Sequence, residues 1–104
     1  MNTPSDPFAK LQAESDRHRL NLMKNELALC FTFSIIAARK NETGNRESAA
    51  KSMANAEKAY ETVIQLLSDP KHSKRLTSEQ TQDITAELER LRDRLDGLLR
   101  QFKK

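Results

Sequence analysis

The sequence is poor in the residues that build turns and cross-links. It has 2 glycines, 3 prolines, a lone cysteine and no tryptophan in 104 residues. So few turn formers exclude a sandwich or barrel, whose many short strands need a turn every few residues. Cys30 alone excludes an intrachain disulfide framework and fits a reducing compartment. The opening residues, Met1 to Pro7, lack a basic stretch followed by an apolar one, so no secretory signal is read there, and a cytoplasmic protein is expected. Long hydrophobic runs are missing too. The longest, Leu27 to Ala38, has twelve residues where a bilayer span needs about 20, so no membrane is expected.

Present instead are charge and helix-forming residues. Charged side chains make up 32% of the chain and hydrophobic ones 37%, a helical profile in a length suited to one domain over 1–104. The net charge of +3 is mixed in sign along the chain, and its excess gathers toward the C-terminal end. Asn41 to Asn45 holds Gly44, which can take the left-handed conformation that ends a helix, and Ser68 to Arg75 holds Pro70, which disfavours helix at Asp69. Between these interruptions the pattern predicts three helices, at about 8–40, 46–68 and 77–101, with residues 1–7 disordered or extended and Asp6 as the first cap. Residues 8–19 hold only Leu11 as a core-type aliphatic, so they either continue the first helix, form a short one, or fray. The expected fold is an all-α antiparallel three-helix bundle with a long first helix.

The third helix has the clearest periodicity. Ile84, Leu88, Leu91, Leu95, Leu98 and Phe102 recur every three or four residues, as in a heptad seam, behind a Thr77–Gln80 capping box. Gly97 beside that seam would be explained by a close backbone approach, or by drift. The second helix offers Ala49, Met53, Ala56, Tyr60, Val63 and Leu67, with further small residues that admit a close neighbour, so Phe31 and Phe33 are expected to pack near them. On the first helix Leu20, Met23, Leu27, Phe31, Ser34 and Ala38 form one stripe. Leu22, Leu29, Phe33 and Ile36 form a second on roughly the opposite side, leaving a narrow polar wedge at Asn25, Thr32 and Arg39. A helix apolar on two sides needs two covers. The second is either the N-terminal segment folded back or the same helix of a second copy, which would make a homodimer.

Catalytic and metal signatures are lacking. His18 and His72 are isolated, Cys30 lies between Leu29 and Phe31 in mid-helix, and there is no glycine-rich phosphate loop and no Glu-x-x-His pair. Neither an enzyme nor any metal or cofactor is expected. Lys71, Lys74 and Arg75 make a small basic cluster in the second interruption, and nucleic acid is the alternative partner it suggests. The arginines of the third helix alternate with acids, as on a solvated, salt-bridged surface. The stretch Ala56-Glu-Lys-Ala-Tyr60-Glu-Thr-Val63-Ile64-Gln-Leu66-Leu67 resembles the second helix of tetratricopeptide-type hairpins and of three-helix microtubule interacting and trafficking modules. That resemblance implies an antiparallel helical bundle with a groove for a partner helix. The leading expectation is a non-catalytic protein-interaction or self-association module, with Leu22, Leu29, Phe33 and Ile36 as its surface.

Overall fold

A computed structural model describes residues 7–103 of the chain. The fold is all-α, and no strand occurs among the described residues. The elements are α1 (Pro7–Glu42), α2 (Arg46–Ser68), α3 (Pro70–Ser73) and α4 (Ser78–Phe102). Residues 8–19 do continue the first helix, which begins at Pro7; Asp6 and the rest of the N-terminal segment lie outside the described residues.

Local chemistry accounts for each boundary. Gly44 closes α1 at φ +80°, a conformation that costs glycine little, and the Asn45 side chain caps α2 by accepting from the Ser48 amide at 3.2 Å. The second interruption contains a helical turn the sequence reading omitted. Pro70 occupies the first position of α3, where its missing N–H costs nothing, and Asp69 caps it by accepting from the Lys71 amide at 2.9 Å. The capping box before α4 forms as read: Gln80 N donates to Thr77 Oγ1 at 3.0 Å, and Thr77 N donates to Gln80 Oε1 at 2.9 Å.

α1 is the spine. Its 36 residues extend about 54 Å, against about 34 Å for α2 and about 37 Å for α4, so the molecule measures 66 × 20 × 17 Å. The turn at Gly44 folds α2 back antiparallel to α1. α4 runs parallel to α1: Arg75, just before it, pairs with Asp16, while Arg94 bonds Ser34 about nineteen residues further along each chain segment. Arg75 Nε and Nη2 reach the two Asp16 oxygens at 3.0 and 2.9 Å, and the guanidinium holds the Asp16 carboxyl below its usual pKa. Residues before Asp16 project past this latch with their side chains exposed.

One core joins the three long helices. From α1 come Met23, Leu27, Cys30 and Ala37, from α2 Met53, Ala56, Ala59 and Val63, and from α4 Ile84, Leu88, Leu91, Leu95 and Leu98. The inward stripe of α1 is therefore centred on Cys30 and Ser34, and Phe31 does not belong to it. Phe31 turns toward α4 and stays 46% exposed. The reason lies in α2, whose Ala49, Ser52, Ala56 and Ala59 bring its backbone much closer to α1 than α4 comes to either. At that separation the facing residues of α1 must be small, and Cys30, Ser34 and Ala37 are.

Candidate functional site

The two flanks of the α1 core stripe have different surroundings. On the α4 side, Arg94 lays its guanidinium over the Phe31 ring at 5.2 Å and donates from Nε to Ser34 Oγ at 2.6 Å. Ser34 is fully buried; its hydroxyl donates to the Phe31 carbonyl at 2.6 Å while accepting from Arg94, so neither capacity is orphaned. Arg92, two residues earlier, serves α2 in the same way. It forks onto both Glu57 oxygens at 2.7 and 3.0 Å, reaches Asp96 at 3.0 Å, and lies 5.0 Å from the Tyr60 ring centre. The Glu57 carboxylate raises the Arg92 pKa still further above its ordinary range.

On the other flank no such cover of α1 occurs among the described residues. Leu22, Leu29 and Ile36, spaced one heptad apart, are 42%, 45% and 36% exposed, and Phe33 is half-buried against the core. Glu26, Leu29 and Phe33 form one wall of an open groove. Asn55, Lys58 and Thr62 of α2 form the other, with Ala59 between them. The four residues singled out in the sequence thus fall on one continuous face, and Phe33 does approach the small-residue part of α2 at Ala59. The α2 wall escaped the sequence reading. Its signal is the polar series Lys51, Asn55, Lys58 and Thr62 at spacings of four, three and four, which in isolation looks like any solvated helix face.

The remaining candidates lie apart from this face. Lys71 and Lys74 are exposed on and just after α3, while Arg75 is held by Asp16. His18 is exposed on α1, and His72 lies in α3 with Nε2 3.9 Å from the Asp69 carboxylate. Among the described residues no three of His, Cys, Asp and Glu converge. Cys30 is fully buried, and desolvation, followed by the nearby Glu57 carboxylate, pushes its thiol up to about 11. A thiol so tuned stays neutral at physiological pH, which makes it a poor nucleophile.

α1 also meets the length and composition of a membrane span, with an eighteen-residue window of mean hydropathy 1.2. Core helices satisfy the same criterion, and this one directs Met23, Leu27, Cys30, Ser34 and Ala37 into the protein core. Comparison with protein families, with curated proteins and with solved structures finds no match for this chain.

Proposed function

We propose that this protein is a small non-catalytic interaction module, an antiparallel three-helix bundle whose uncovered flank of α1 receives a protein partner or a second copy. The observation that carries this reading is the row Leu22, Leu29 and Ile36: three large aliphatic side chains, one heptad apart, exposed on a helix that also supplies the core. Scattered exposed aliphatics are ordinary, but an aligned set bordering a groove with an aromatic side chain in its wall is the usual form of a helix-docking surface. The nucleic-acid alternative gains less from the geometry, because Arg75 is engaged by Asp16 and the two lysines beside it stand alone.

Light scattering combined with circular dichroism tests the proposal. The double variant Leu29→Glu/Ile36→Glu, and Phe33→Glu beside it, should keep the helical signal of the parent. If the parent is a dimer, the double variant should be a monomer; if the parent is a monomer, the face is open to another protein. Loss of helicity in the double variant would make the two side chains ordinary core and end the proposal.

A further inference from the structure

The two ends of the bundle are built differently. At the Gly44 end, buried side chains continue to Ala37 of α1, Ala49 of α2 and Leu98 of α4, each close to where its helix ends or begins. At the opposite end the buried core stops at Met23, Val63 and Ile84. Among the described residues none is buried before Met23, nor between Val63 and Ile84, a stretch that includes all of α3. Only the half-buried Leu20, Leu66, Leu67 and Leu76 carry the core into this end. Over residues 7–22 of α1 every side chain is exposed except Asp16, Arg19 and Leu20. Asp16 is the polar link across this end. Besides the two Arg75 nitrogens it accepts from Gln12 Nε2 at 3.0 Å and pairs with Arg19 at 3.5 Å.

We propose that the Asp16–Arg75 pair is a salt-sensitive latch on a unit that opens by itself. When the pair is released, residues 7–20 of α1 and residues 70–77 come apart while the core from Met23 onward stays closed. Single exposed ion pairs contribute little. Asp16, however, is forked by one guanidinium and supported by a second and by an amide, the arrangement in which an exposed pair counts. The pair joins residues 59 positions apart, so it ties together two segments that bury little of their own. Regions with few buried apolar contacts are where a fold opens first, and the freed end of α1 frays, because a helix of this length is marginal in isolation. Salt screens an exposed pair and leaves apolar burial in place. The latch thus makes the cover over Leu20 and Leu76 depend on ionic strength.

Amide hydrogen exchange of the full chain, resolved by segment, tests the latch. Asp16→Asn and Arg75→Gln should each speed exchange over residues 10–20 and 70–77 by about fivefold, and the double variant should go no further than either single one. Sodium chloride at about 1 M should produce the same change in the parent and add nothing in Asp16→Asn. Exchange over residues 27–38 and 84–98 should match the parent throughout. Lys74→Gln, which removes the neighbouring charge, should leave every segment as it was. Unchanged exchange in Asp16→Asn and Arg75→Gln would overturn the proposal, as would faster exchange in only one of the two segments. An equal rise over residues 84–98 would also overturn it, since the pair would then act on the whole fold and not on one end. The parent salt series reads the latch without any substitution, so a variant that fails to fold does not protect the proposal.

Discussion

α2 and α4 both pack on α1, by opposite means. α2 comes close because both surfaces are small: Ala49, Ser52, Ala56 and Ala59 on α2 and Cys30, Ser34 and Ala37 on α1 are all buried. α4 stands further off and fills the gap with Ile84, Leu88, Leu91, Leu95 and Leu98, then fastens each edge with an arginine, Arg94 to α1 and Arg92 to α2. Close packing leaves no room for a clamp at the α1–α2 seam and turns the larger side chains of α1 to its edge. Leu29 and Phe33 are exposed or half-buried there because the seam is narrow. The open face is in this sense a by-product of how tightly the hairpin closes.

If α4 is held chiefly by its leucines, the largest effect should come from removing one. Leu95→Ala, at a fully buried site, is expected to destabilise the fold by about 2–5 kcal/mol in urea or guanidinium unfolding, the range for a core cavity. Leu29→Ala on the open face should cost under about 1 kcal/mol. Equal losses would mean that the face is as buried in solution as the core.

The narrow seam also has a pH signature. Cys30 titrates near 11 in the folded chain against an ordinary value of 9.0, so the unfolded state gives up this proton first as pH rises. Below 9 the thiol is neutral in both states and contributes nothing to pH dependence; from 9 to about 11 stability should fall by roughly 2–3 kcal/mol on its account. Comparing unfolding curves of the parent and Cys30→Ala across that window isolates the effect. Parallel pH dependences would show that the thiol is solvated.

Much of this arrangement was legible in the residues. The α4 repeat, the Thr77–Gln80 capping box and the Gly44 helix end are local patterns, and local chemistry specified them. Periodicity alone puts Phe31 on the inner face because it assigns a face by hydrophobic size, whereas the α2 alanines demand small residues opposite them; Met23, Leu27 and Ser34 of the expected stripe are buried, and only the pair of helices together selects Cys30 and Ala37 in place of Phe31. The Arg94–Ser34 and Arg92–Glu57 contacts, between residues sixty and thirty-five positions apart, have no sequence periodicity to announce them. The small helix at Pro70 was missed for a different reason. Pro70 stops the helix before it, yet after the Asp69 cap it is also a good first residue for the next one.

Between these extremes lie changes that test the two packing modes directly. Ala56→Leu puts four-carbon bulk into the close seam and should cost about 1–3 kcal/mol through overpacking. Arg94→Ala should cost less, about 1 kcal/mol, because it removes one hydrogen bond and one cation–π contact at an exposed edge. A double-mutant cycle with Phe31→Ala should return a coupling of about 0.5–1 kcal/mol. No coupling would leave α4 held by its leucines alone, with the arginine a spectator.

The smallest expected effect has the opposite sign, and it separates the two seams most cleanly. Gly97 lies beside the buried row of α4, where a close backbone neighbour would forbid a side chain. A Cβ built there meets only the Arg100 side-chain end at 3.8 Å, ordinary contact with a movable group, and Gly97 has no left-handed φ to protect. Gly97→Ala should therefore stabilise the fold by about 0.5–1 kcal/mol, by reducing the freedom of the unfolded chain and favouring helix. The same enlargement by one methyl in the α1–α2 seam, Ser34→Thr for example, should destabilise. A loss of stability in Gly97→Ala would mean that α4 also approaches closely, and the contrast between a narrow seam and a clamped one would disappear.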